Sequence, residues 1–141
     1  MYDTSLTRMS LPSEHYRLLL GTALSVFSSN NSFIIENILR TNDSHSWYDL
    51  MDKESGRLRD IINKNITFNS DNEIEEKFMK IVQMRNRIIH GFRITSQDNE
   101  QIIATKVKGT GEQFDITEDY LKKFIKLNEE LSQMLHVYRG Y

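Results

Sequence analysis

The chain has 141 residues, 18 Lys+Arg against 20 Asp+Glu, a net charge of −2 and no cysteine. These values fit one domain (residues 1–141) with one core, leave no disulfide framework or thiolate site, and argue against a strongly basic nucleic-acid coat. No run of about 18 apolar residues occurs, and residues 1–10 lack the basic-then-apolar layout of a signal peptide, so a cytoplasmic protein with no membrane span is expected. The apolar fraction of 38% is modest, so burial completed by association is expected.

Residues 1–10 read as a flexible arm. Pro12 is placed as the first residue of a helix. Tyr16, Leu20, Ala23, Phe27, Ile34 and Ile38 keep helical spacing across the polar interruption at residues 28–32, which predicts one long, bent helix to Leu39. A polar connection follows. Ser46 with Asp49 resembles a capping box, and Trp47, Leu50, Met51, Leu58, Ile61 and Ile62 mark a second helix ending near Lys64, with Gly56 weakening its middle. Ser70 and Glu73 form a capping box for a third helix, whose first turn is acidic.

That third helix is the strongest signal in the chain. Ile74, Phe78, Ile81, Val82, Ile88, Ile89 and Phe92 fall on one stripe at about 100° per residue. Arg85 projects from the middle of the stripe, where a guanidinium is desolvated and demands a partner or a cavity. Asn86 and His90 are four residues apart and share one edge near the helix end, and Gly91 can terminate it. Beyond Gly91 the pattern changes. Residues 92–95 and 101–107 are rich in β-branched side chains with a turn between them, predicting a β-hairpin over 92–107. Gly109 and Gly111 mark a second turn. Thr117 caps the last helix, with Ile116 and Leu121 as a hydrophobic staple. Leu121, Phe124, Leu131, Leu135 and Tyr138 form its apolar face. The fold class expected is all-α: an antiparallel bundle of four to five helices with a short hairpin before the last one.

Two readings of Arg85, Asn86 and His90 stand at this point. In one, the arginine is buried against a carboxylate and the histidine merely caps a helix. In the other, they form a site for phosphodiester chemistry. Histidine titrates where proton transfer is useful, and arginine stays charged and forks toward phosphate oxygens. Between residues 85 and 108, Arg85, Arg87, Arg93, Lys106 and Lys108 outnumber Asp98 and Glu100, which fits a modest phosphate-binding rim around His90 and nearly as well an ordinary hairpin surface. His15, His45 and His136 stand alone as surface residues. Glu73, Glu75, Glu76, Glu129 and Glu130 read as solvated helix faces. No spacing suggests a metal site or a phosphate loop, and no cofactor is expected.

Arg85-Asn86-x-x-x-His90 resembles the Arg-[Asn/Asp/His]-x(3–5)-His motif of the HEPN superfamily (higher eukaryotes and prokaryotes nucleotide-binding domains). A second copy of the bare spacing, Arg40 to His45, has threonine after the arginine, lies in an expected loop, and reads as accidental. The resemblance implies a helical bundle that dimerises, with the two motifs meeting in a cleft between protomers. It implies a metal-independent endoribonuclease, toxin-like or anti-phage, with Arg85, Asn86 and His90 catalytic and RNA as substrate; Arg87 and Arg93, from the basic rim, are the residues expected to bind it. A cognate antitoxin is an implied partner. In the group paired with nucleotidyltransferase antitoxins a tyrosine follows the histidine by two places; Phe92 stands there instead. Some superfamily members are non-catalytic modules that bind nucleotide, RNA or protein, and this alternative stays open.

Overall fold

The computed structural model describes residues 5–140. Residues 1–4 of the expected arm lie outside them; residues 5–10 form neither helix nor strand, and Arg93 donates to the Ser10 carbonyl. The fold is mostly helical. Five α-helices, α1 (Glu14–Thr41), α2 (Trp47–Met51), α3 (Arg59–Ile62), α4 (Glu73–Ile89) and α5 (Glu118–Arg139), accompany a three-stranded antiparallel sheet placed before α5. The strands are β1 (Phe92–Thr95), β2 (Gln101–Lys106) and β3 (Gln113–Ile116), in the order β1-β2-β3.

The helix α1 is unbroken, as the surviving phase predicts, although it starts at Glu14, two residues later than expected, with Ser13 as the N-cap that accepts from the Tyr16 N–H at 3.1 Å. The polar interruption is a tertiary feature and not a break. Asn30 is buried and donates to the Asn128 carbonyl at 2.8 Å and to Asn128 Oδ1 at 2.9 Å, while Asn31 Oδ1 accepts from Ser55 Oγ at 2.7 Å. These amides satisfy one another where α1 meets α5 and so fix the register between two otherwise apolar faces. By length and composition alone α1 could cross a membrane. Here Tyr16, Ala23, Phe27, Ile34, Ile35 and Ile38 line its core side.

The expected second helix is instead a folded-back segment. The helix α2 stops at Met51, a 3-10 turn spans Ser55–Leu58, and α3 runs into a π-helical turn at Asn63–Thr67. Gly56 and Ser55 are weak helix formers, and Ser55 spends its hydroxyl on Asn31. The widened turn has a local cause as well. Asn65 donates to the Ile61 carbonyl, Asn69 to Asn65 and Ser70 to Ile66, each at 2.7 Å, offering the carbonyls partners other than the regular ladder. Since the Ser70 hydroxyl is committed there, the expected capping box with Glu73 does not form; Asn72 occupies the N-cap of α4 and Asp71 accepts from the Glu73 N–H at 3.0 Å. Ser46 makes no side-chain cap either. Glu75, read as solvated, is buried beside Arg59 at 3.7 Å.

Helix directions follow from these contacts. His15 faces Glu118 at 3.3 Å, Asn30 faces Asn128, and Thr41 meets Tyr138 at 2.8 Å, so α1 and α5 run the same way. Lys77 pairs with Glu130 at 2.9 Å and Tyr120 donates to the Met84 carbonyl at 3.1 Å, so α4 and α5 run oppositely. The purely antiparallel expectation therefore fails for α1 and α5.

The hairpin over 92–107 is present, with Phe92 opposite Ala104 and Thr95 opposite Gln101. What is added is β3, which pairs Ile116 with Ile103 after the turn where Gly109 takes φ 97°. Tyr16 ties this sheet to α1: its hydroxyl donates to the Ile116 carbonyl at 2.6 Å and accepts from the Ile103 N–H at 3.1 Å, and burial pushes the phenol up. Gly91 matters for close approach. A Cβ there would stand 2.2 Å from Ile103 Cγ2 and 3.0 Å from the Ala104 carbonyl oxygen.

One position in the sheet is poorly satisfied. Thr105 is fully buried and its Oγ1 has no hydrogen-bond partner. Thr105→Val keeps the shape and β-branching and removes the desolvated hydroxyl, so it is expected to raise stability by about 1 kcal/mol. A urea midpoint that falls instead would show that the hydroxyl is satisfied in solution.

Candidate functional site

The end of α4 carries the three residues singled out by spacing. Arg85 and Asn86 are half-buried; His90 is exposed and is the C-cap, its N–H bonded to the Asn86 carbonyl at 3.0 Å. All three line one cleft of about 660 Å³. Its opposite walls are α1, through Leu24, Phe27, Ser28 and Asn31, and the folded-back segment, through Met51, Glu54 and Ser55. Residues 52–54, between α2 and the 3-10 turn, are non-helical, and Lys53 and Glu54 line this cleft.

Arg85 sits over an aromatic floor. Its guanidinium carbon is 4.8 Å from the Phe27 ring centre, and Phe27 stacks against Phe78 at 6.3 Å and Phe124 at 6.2 Å. Cation–π attraction in such a partly desolvated place contributes about 1–2 kcal/mol. Burial lowers the Arg85 pKa, with the Glu54 carboxylate acting the other way. An arginine remains charged regardless. Nε of Arg85 is buried with no hydrogen-bond partner, and among the described residues no carboxylate forms an ion pair with this side chain. Among the described residues, then, there is no structural ion pair to explain a buried arginine. Nor do the Asn86 amide and His90 imidazole make any hydrogen bond among the described residues. Arginine, amide and imidazole, none with a side-chain hydrogen bond among the described residues, line one cleft.

The stripe is narrower than its periodicity suggests. Ile89 is 49% exposed and Phe92 43%, so both leave the core, and Ile89 joins the cleft wall. Arg87 and Arg93 do not enter this cleft. Arg87 donates to the Lys106 carbonyl at 3.0 Å and lines a neighbouring groove; Arg93 is bonded to Ser10 and to Gln101 Oε1 at 2.8 Å. Arg40 is exposed in the last turn of α1, while His45 lines a separate cleft with Asp49 and Asp52. Among the described residues no group of three or more His, Asp or Glu is placed to hold a metal. Phe27, Glu54 and Asn31 were not legible as cleft residues, because each reaches the site through the packing of another element.

No family model, curated protein or solved structure matches this chain.

Proposed function

We propose that the chain is a metal-independent endoribonuclease of the HEPN type, toxin-like or defensive, built on a helical bundle of that type and acting as a homodimer. The observation that carries this reading is Arg85: a guanidinium with a buried Nε that has no partner, and no ion pair, among the described residues, on the wall of the cleft that Asn86 and His90 also line. In the reaction one imidazole takes the proton of a ribose 2′-hydroxyl, whose oxygen then attacks the adjacent phosphorus. The bond to the 5′-oxygen breaks, and a second imidazole donates its proton to that leaving oxygen. The products are a 2′,3′-cyclic phosphate and a 5′-hydroxyl. Arg85 offers charged donors to the non-bridging oxygens as charge develops on them, and Asn86 hydrogen-bonds phosphate or orients His90.

Each chain has one motif histidine, so a base and an acid call for two chains. A two-fold axis brings every residue near it against its own copy, which penalises charge at the axis. Residues 18–35 of α1 contain no Asp, Glu, Lys or Arg. This segment exposes Leu18 (64%) and Leu24 (38%) together with Gly21, Ser25 and Ser28, and Leu24 and Ser28 border the Arg85 cleft. That face can meet itself without repulsion and would place two clefts together.

Light scattering is expected to give about twice the 16.6 kDa chain mass, and a single-stranded RNA is expected to be cut to cyclic-phosphate ends in the presence of chelator. Gly21→Lys is a clean disruption, since a Cβ at Gly21 meets nothing within 4 Å and lysine favours helix. It should yield folded, inactive monomer. Cleavage by a strict monomer, or cleavage that stops with chelator, overturns the mechanism; RNA left intact by the dimer favours the binding module.

A further inference from the structure

Beside the Arg85 cleft, on the other side of Asn86, lies a second groove of about 550 Å³ between α4, the sheet and the start of α5. Asn86 lines both. The groove's charged lining is entirely basic: Lys80 and Arg87 from α4 and Lys123 from α5, with no carboxylate among its lining residues. In a chain of net charge −2 that is a local reversal of sign. Lys80, Met84 and Arg87 follow helical spacing, so they present one continuous edge of α4. One donor of the Arg87 fork is held by the Lys106 carbonyl at 3.0 Å, which fixes the guanidinium at the groove wall. Between these cations sit two aromatic rings. Phe114 and Tyr120 pack with centroids 5.9 Å apart at 43°. The Tyr120 hydroxyl is already spent on the Met84 carbonyl at 3.1 Å, and burial pushes its phenol up to about 12, so Tyr120 offers a neutral ring and not a polar contact.

Cations along an edge with aromatic surface between them match the needs of a single strand, whose phosphates repeat and whose bases present flat faces. The geometry points to this groove as a nucleotide subsite of single-stranded RNA, with flanking phosphates on Lys80, Arg87 and Lys123 and a base against Phe114 and Tyr120. The inference rests on the nuclease reading for its direction. A strand whose scissile phosphate lies by Arg85 and His90 passes Asn86 and continues into the groove, so Asn86 marks the step between the cut linkage and the neighbouring nucleotide. The groove would then select unpaired RNA, because a base in a duplex has no free face to stack.

The test uses the full chain carrying His90→Ala, so that bound RNA is not consumed. Binding of a fluorescein-labelled single-stranded oligoribonucleotide is followed by anisotropy over a range of salt. Lys80 and Lys123 are both exposed, so Lys80→Gln with Lys123→Gln should leave the fold intact. The slope of log affinity against log salt is expected to fall by about 1.4, the loss of two single-strand phosphate contacts. Phe114→Leu should weaken binding about tenfold for this strand and leave an abasic strand unaffected, as loss of one stacked base requires. An unchanged salt slope, an equal loss for the abasic strand, or no binding by the parent overturns the subsite. Displacement of the RNA by polyglutamate as readily as by unlabelled RNA also overturns it, and assigns the groove to an acidic peptide. RNA that binds through these residues but is never cut by the His90-containing dimer removes the nuclease reading and leaves the subsite standing.

Discussion

His90→Ala is expected to reduce RNA cleavage by about 10²–10⁴-fold, the usual worth of positioned proton transfer, while leaving the protein as stable as before. The two outcomes separate because the structural work at this position is done by the backbone: the His90 N–H closes the last turn of α4, and the imidazole is exposed without a hydrogen bond among the described residues. Arg85→Ala should lose a comparable factor, with stability changed by no more than about 1 kcal/mol. Its cation–π contact with Phe27 is offset by the cost of a buried, unbonded Nε. Arg85→Lys should not restore activity, since an ammonium lacks the planar fork that spans two phosphate oxygens. Single-turnover cleavage and urea unfolding of the three variants check this. An Arg85→Ala chain that fails to fold would return the residue to a structural role, and activity surviving in His90→Ala would remove the proposed chemistry.

Leu131→Ala and Ile81→Ala are each expected to cost about 2–4 kcal/mol of folding stability. Both side chains are fully buried, Leu131 on α5 and Ile81 on α4, in the core that these helices share with α1. Around them the helices are held by specific polar contacts, Asn30 with Asn128 and Lys77 with Glu130, which resist the shift needed to refill a cavity. Removing three methyl-group equivalents should therefore leave most of the void open. The urea midpoint should fall with an unchanged slope. A loss below about 1 kcal/mol would show that the core collapses around the change.

Periodicity was a good guide wherever one helix face met the core along its length. Tyr16, Ala23, Phe27, Ile34 and Ile38 on α1, Phe78 and Ile81 on α4, and Leu121, Phe124, Leu131 and Leu135 on α5 are all buried as their spacing predicts. The same pattern could not reveal Asn30, Asn37 and Asn128, which occupy core positions and look like interruptions until their partners across the helices, or a turn away, are in place. The third strand was missed because Gln113–Ile116 is only four residues long and is specified by pairing with β2 rather than by local preference.

From the sequence alone, the amphipathic helices, the hairpin and the convergence of Arg85, Asn86 and His90 at one helix end were determined, since each depends on residues within a few turns of one another. Tertiary structure decided two other things. It bent residues 47–67 back on themselves, so that both ends of this segment stay at the end of the molecule where Thr41 meets Tyr138. A continuous helix there would have crossed the molecule and reversed the chain, leaving α1 and α5 antiparallel instead of parallel. It also decided what faces Arg85. A charge in an apolar stripe requires either a carboxylate or a cavity, and spacing alone leaned toward the carboxylate. Only the packing of Phe27 beneath the guanidinium, with Glu54 at the cleft wall forming no ion pair with it, selected the cavity.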